Sequence, residues 1–178
     1  MQVLGIILIA LIIVIILVYL KWRQIGDADI QFCIEKHTPF IVEENEKSRV
    51  VFSAEFEIVN AGKQCATIMD CFVRSQLPYE QFDGIEVRGK VQLAGVPRED
   101  DYFEAVLIQK FEKINLTVKI ELIDRNRGDI RNTLRHMVDV PVDIIYQHTA
   151  RHEAALSKKR LVLSAKEIAS LLDLELID

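Results

Sequence analysis

Residues 3–20 (VLGIILIALIIVIILVYL) contain no charged, amide or proline side chain, and after them apolar and polar positions alternate in short runs over most of the chain. As an α-helix the apolar stretch rises about 27 Å at about 1.5 Å per residue, close to the ~30 Å hydrocarbon core of a bilayer. Tyr19 sits inside its end, and Lys21, Trp22 and Arg23 follow it, which is an aromatic and cationic collar at headgroup height. The pattern predicts a transmembrane anchor with its collar over residues 1–23, a short tether over 24–28 and one folded domain over 29–178.

Two other readings of the stretch are weaker. A buried core helix would need a cover for a cylinder that is apolar all round. A cleaved signal peptide is suggested by the small-x-small pattern Gly26-Asp27-Ala28, but the run exceeds the ~7–15 residues of an h-region, and the basic residues follow it. No cysteine directly follows the run, so a lipoprotein signal is not supported. The same asymmetry predicts topology: Lys21, Arg23 and Lys36 place the domain on the cytoplasmic side of an inner (plasma) membrane, with a periplasmic or extracellular domain as the alternative.

In the domain, residues 29–37 alternate through Ile30, Phe32 and Ile34, the period of a half-buried strand. A loop with Pro39 and the acidic Glu43, Glu44 and Glu46 precedes the strongest run, 48–60. There Val50, Phe52, Ala54, Phe56 and Ile58 form one apolar face. Asn60-Ala61-Gly62 reads as a turn and 63–74 as the returning strand of a hairpin. Strands are further predicted over 85–93, 102–109, 114–123, 142–147 and 161–163, with a charged turn over 97–101. The period changes at Ile130, Leu134, Met137 and Val138, predicting a short helix over 130–138 capped by Asp129. Pro141 stops it, and Ser164 with Glu167 forms a capping box for a last helix to Leu172.

Short strands with turn signals at about 8–12-residue spacing predict a mainly-β domain, an antiparallel immunoglobulin-like β-sandwich with one short inserted helix and a short C-terminal helix. The Cys-Trp-Cys signature of true immunoglobulin domains is absent, since the only tryptophan is in the collar. Residues 56–83 (FEIVNAGKQCATIMDCFVRSQLPYEQFD) and 97–105 (PREDDYFEA) resemble small uncharacterised bacterial proteins with one N-terminal membrane helix and a single immunoglobulin-like β-sandwich domain. That resemblance implies a fold and a location and brings no activity or site. The strand, Asn-x-Gly turn, strand arrangement is also similar to adhesion-type and water-stress-type immunoglobulin-like modules.

Composition changes this picture in two ways. Charged residues at 28% with seven glycines and four prolines indicate a folded soluble part. The net charge of −5 hides a split, about −8 over residues 27–104 and about +5 over 110–166, so nucleic acid is a poor partner while an anionic leaflet is a reasonable one. Cys33, Cys65 and Cys71 are odd in number and show no disulfide spacing, which suits a reducing compartment. On that side of a membrane the Asn115-Leu116-Thr117 sequon and the Arg127-Gly128-Asp129 tripeptide carry no meaning.

Candidate chemistry is sparse. His148 and His152, at i, i+4 with Glu153 adjacent, could hold a metal only on a helix, and they follow a predicted strand. Cys65 and Cys71 fall on one strand face about 20 Å apart at ~3.3 Å per residue, too far for one zinc. Asp70, Glu80, Asp83, Glu99, Asp100, Asp101 and Glu104 are numerous, but spacing does not make two of them converge. No nucleophile elbow and no phosphate-cradling glycine loop occurs. The remaining constellation is basic: Arg125, Arg127, Arg131 and Arg135, then Arg151, Lys158, Lys159 and Arg160. Arg131, Arg135, Lys158, Lys159 and Arg160 are the candidates for contact with an anionic surface. The sequence thus predicts a membrane-anchored binding domain, without cofactor, docking a membrane or envelope protein partner at the bilayer surface. The alternative is a small membrane-tethered hydrolase or metal-dependent enzyme.

Overall fold

The computed structural model describes residues 2–98, 103–126 and 128–177. Glu99, Asp100, Asp101, Tyr102 and Arg127, named above, lie outside the described residues. Helix α1 runs Gln2–Ile25, and its stretch Gly5–Ile25, of mean hydropathy 2.8, has none of its residues buried in the molecule. A helix this apolar that no other element covers is not a core helix, and its 21 residues span about 32 Å. One N-terminal helix is therefore long and apolar enough to cross a membrane.

The rest of the chain is an antiparallel sheet domain closed by a C-terminal helix. Its strands are β1 (Ile30–Phe32), β2 (Ile41–Asn45), β3 (Arg49–Asn60), β4 (Ala66–Ser75), β5 (Ile85–Leu93), β6 (Val106–Ile108), β7 (Lys113–Asp124), β8 (Val140–Thr149) and β9 (Ala155–Leu163). Helix α2 (Ile130–Leu134) precedes β8, and α3 (Ala165–Leu172) follows β9. The strand order is β1-β3-β7-β5-β4-β8-β9, with β2 sharing with β1 the edge of β3 that faces away from β7, and β6 sharing with β5 the edge of β4 that faces away from β8. One half of the sheet is built on the β3–β7 ladder and the other on β4–β8, and β4 and β5 join them at the single pair Phe72↔Lys90. There the sheet folds over, which brings Phe32 of β1 onto Tyr146 of β8 with ring centroids 3.5 Å apart. Val50, Phe52, Phe56 and Ile58 of β3, Leu116, Val118, Ile120 and Leu122 of β7, and Val142 and Ile144 of β8 fill the space between.

The fold-over needs Gly89. A Cβ there would lie 2.6 Å from Val73 Cγ1 and 3.1 Å from the Lys119 carbonyl oxygen, so any side chain would push β5 off β4.

Several expectations need correction. Residues 48–60 and 63–74 do not form a hairpin: β3 pairs with β7, β1 and β2, and β4 with β8, β5 and β6. The turn atoms are engaged elsewhere. Asn60, fully buried, accepts at Oδ1 from Asp29 N (3.2 Å) and Gly62 N (3.0 Å), and donates from Nδ2 to the Gln64 (2.7 Å) and Gln109 (3.2 Å) carbonyls. Lys63 N and Ala61 N donate to the Asp27 and Asp29 carbonyls, and Gln64 Nε2 to that of Ile25. The tether is therefore clasped by the domain. Gly62 leaves room for it, since a Cβ at that position would collide with the Asp27 carbonyl and the Asp29 amide.

The first strand stops at Phe32 because Ile34–Lys36 winds into a 3-10 turn closed by His37 N on the Ile34 carbonyl, although Ile34 is still buried. The acidic loop is strand β2, with a bulge between Val42 and Glu44. The last strand begins at Ala155, six residues earlier than 161, and β6 covers only three residues of the expected 102–109. Helix α2 ends at Leu134; Asp129 caps it by accepting from Arg131 N at 3.0 Å. The Ser164–Glu167 capping box is present, and α3 ends at Leu172, as the sequence indicates.

Replacing Asn60 by Ala strands two amide donors and two carbonyls in the clasp. We expect a loss on the order of 3 kcal/mol in urea unfolding, with Gly62→Ala also destabilising. Unfolding midpoints within error of the parent for both would refute the clasp.

Candidate functional site

The outer face of the sheet around the fold-over is a groove of about 630 Å³. It exists because β4 and β5 meet at one pair and diverge on either side. Val51, Cys71, Val73, Val87, Gly89 and Val91 line its apolar part. Its charged lining is five basic residues, Arg49, Arg74, Arg88, Lys90 and Lys119, against the acidic Glu43, Glu44 and Glu121. Strand alternation puts these charges outside, since Arg88 lies opposite Glu121 and Lys90 opposite Lys119 in the β5–β7 register.

The acidic members are engaged. Arg49 reaches Glu121 at 3.0 Å and also pairs with Glu44 and, at 3.4 Å, with Glu46; Glu43 pairs with Lys119. These bonds hold β2, β3 and β7 together and leave Arg74, exposed on β4, without an ion-pair partner among the described residues. Arg88 in turn bonds Glu86 at 2.7 Å, so the groove presents Arg74 beside an apolar floor. The Cys71 thiol on its floor is pushed up by burial, which keeps it protonated and inert.

The predicted anionic-surface residues do not form one patch. Arg131 donates to the Leu172 carbonyl at 2.5 Å, capping the end of α3, and the Arg135 carbonyl accepts from Ile177 N. Both lie where β8 begins, at the end of the sheet opposite the tether. On β9, Lys158 and Arg160 converge on Asp143 of β8, at 3.3 and 2.9 Å, while Lys159 reaches Glu35 at 3.6 Å. Asp143 is 3% exposed, and the Arg160 hydrogen bond holds its carboxyl below the usual range against the opposing effect of burial, with Lys158 adding to the pull. Three of the five basic candidates thus have carboxylate partners within the domain.

The histidines are separated by their partners. His148 is on β8 with its ring 5.8 Å from Tyr146, and His152, in the turn before β9, pairs with Asp27 of the tether. Neither lies on a helix, and no group of three or more His, Cys, Asp or Glu side chains placed to hold a metal occurs among the described residues. Tyr19, Lys21, Trp22 and Arg23 are exposed on the last turns of α1, and the helix continues to Ile25.

No protein-family model matches the chain, and no curated protein matches it either. Among solved structures, it is similar to the GAE domain of GGA2p from Saccharomyces cerevisiae, at 11% identity over 78% of this chain and 91% of that one, with a TM-score of 0.36. A Northeast Structural Genomics Consortium target, SoR45, is similar at 12% identity over 79% and 87%, with a TM-score of 0.39. A protein from Archaeoglobus fulgidus matches at 10% identity over 78% and 96%, with a TM-score of 0.35. At these identities and scores the likenesses bring no ligand, partner or activity to this chain.

Arg49, Arg74, Lys119 and Asp143 carry the outer-face electrostatics, and periodicity does not single them out. Their only sequence signal is the polar phase of each strand.

Because Asp143 has a lower pKa folded than unfolded, its pairing contributes fully above about pH 4 and is lost as pH falls through the folded value. Arg160 and Lys158 are more than half exposed, so the contribution is about 1 kcal/mol. Asp143→Asn should lower stability by about that much at pH 7, and the gap to the parent should close toward pH 3 in urea titrations. A gap independent of pH would contradict the ion-pair account.

Proposed function

We propose that the chain is a single-pass membrane protein whose immunoglobulin-like β domain is held at the bilayer surface and binds a membrane or envelope protein partner through the groove between β4 and β5. The observation that carries this reading is α1 itself, apolar over residues 3–20, uncovered by the rest of the chain, and continuous with a clasped tether. The clasp also argues for retention of α1. Cleavage after Ala28 would discard the Asp27 carbonyl that Lys63 N binds, the Asp27 carboxylate that pairs with His152, and the Ile25 carbonyl that Gln64 binds.

The partner segment is extended and acidic. Its carboxylates meet Arg74, and its apolar side chains meet Phe72, 44% exposed beside Lys90. Lys21 and Arg23 at the domain side of α1 favour a cytoplasmic domain at an inner (plasma) membrane.

Alkaline extraction of membranes should leave the full chain in the pellet and release a chain lacking residues 1–25. Extraction of the full chain would sink the anchor. A photo-crosslinker at Phe72 should give one discrete protein adduct in intact membranes, abolished by Arg74→Glu and absent when the crosslinker stands at Val162. Adducts indifferent to Arg74→Glu would sink the groove. For topology, Lys47→Cys in a Cys65→Ser background should react with an impermeant thiol reagent only after lysis, and labelling of intact cells would reverse the orientation.

A further inference from the structure

The turn between β6 and β7 carries a phenylalanine where the backbone favours another residue. Phe111 has φ +61° and is 66% exposed. Glycine or asparagine takes that left-handed conformation at little cost, and a bulky side chain does not. The turn is nevertheless fixed. Phe111 N donates to the Asn60 carbonyl at 2.9 Å, Asn60 N to the Glu112 carbonyl at 3.0 Å, and Glu112 N to the Gln109 carbonyl at 3.2 Å. The strain is therefore imposed by the surroundings, and the phenyl it presents is outside the hydrophobic core cluster.

The position of the turn says what that ring meets. The Asn60 residue that holds Phe111 through its main chain also holds Asp29 through its side chain, and Gln64, four residues on, binds the carbonyl of Ile25, the last residue of α1. Phe111 is two hydrogen bonds from the tether, at the end of the sheet from which α1 departs. Lys110 precedes it in the chain, and the Lys63 side chain packs against Gly26 of the tether, so two lysines with long apolar stems stand at this end of the domain. An exposed aromatic with cationic neighbours at this level repeats the collar chemistry of Tyr19, Lys21, Trp22 and Arg23.

We propose that Phe111 is a second membrane contact, its ring entering the boundary between headgroups and hydrocarbon in the bilayer that α1 crosses. The proposal rests on the reading of α1 as a membrane span. A lone helix can rotate about its own axis, and a second lipid contact on the clasped domain removes that freedom. It stands the sheet on end over the lipid and fixes the direction in which the groove faces.

The test reads indole burial in lipid. The full chain is reconstituted into phosphatidylcholine vesicles carrying acyl chains brominated near the headgroup, and fluorescence quenching is compared for three single-tryptophan forms. The parent reports Trp22; Phe111→Trp and Tyr79→Trp, each in a Trp22→Phe background, report the turn and the opposite end of the domain. Quenching in the parent and in Phe111→Trp, several-fold above that in Tyr79→Trp, is the expected result. Quenching of Trp22 with none in Phe111→Trp overturns the second contact and leaves the anchor standing. No quenching of Trp22 overturns the anchor reading itself. Equal quenching in Tyr79→Trp and Phe111→Trp overturns the end-on arrangement. Phe111→Gly adds a control on folding: relief of the positive φ should keep or raise the thermal midpoint. A midpoint several degrees lower would show that the ring packs within the domain, and would overturn the proposal.

Discussion

The side chain of Asn60 is the constraint on which the relation of helix to domain depends. A primary amide offers two donors and two acceptor lone pairs, and a buried one has to place them all in the protein. Here the oxygen takes the amides of Asp29 and Gly62, while the nitrogen reaches the carbonyls of Gln64 and Gln109. Three segments that are remote in sequence, the tether, the turn after β3 and the turn before β7, are thereby fixed to one planar group. Aspartate would remove the donors, and an aliphatic residue would remove both. The six residues between the collar and β1 therefore act as a joint and not as a leash.

The fold-over at β4 and β5 follows from a similar economy of space. A nine-stranded open sheet of this length would leave one apolar face in water. Folding it at a single pair lets the β3–β7 and β4–β8 halves cover each other, provided that β5 can pass close to Val73, and Gly89 permits that approach. The cost of folding is a divergence of β4 from β5 on the outer face, and that divergence is the groove. Core closure and the groove are thus two sides of one geometric event.

How much of this was legible follows from the range of each interaction. The alternation of β3 and β7 is a local signal backed by burial, so both strands stand where the period puts them. The caps on α2 and α3 are equally local, since Asp129 and Ser164 act within three residues. The hairpin failed because Asn60-Ala61-Gly62 carries a sound turn signal whose hydrogen-bonding atoms are claimed by residues 27–29, which no local reading sees. Strand β2 was hidden because Glu43 and Glu44 read as a solvated loop; their partners Lys119 and Arg49 become neighbours only across the assembled sheet. The start of β9 was hidden by Lys158, Lys159 and Arg160, whose pairing with Asp143 and Glu35 has no sequence signature. Phe111 stands between two predicted strands, and periodicity carries no information about the sign of φ.

In the end-on arrangement, charge and apolar contact separate by height. Along β4 the groove residues begin at Cys71, five positions after Ala66, and end at Ser75, which is roughly 17 to 30 Å from the tether end at ~3.3 Å per residue. The field of an anionic leaflet decays over a Debye length of about 8 Å at physiological salt. Arg74 then lies beyond the reach of the lipid charge, and Arg131 and Arg135 lie farther still. On the proposed arrangement those charges stand outside most of the leaflet's field. Under the proposed function an acidic segment of a protein partner, brought within reach by the same membrane, would meet them with little screening by lipid, and holding the domain on the lipid would fall to α1, its collar and the ring of Phe111.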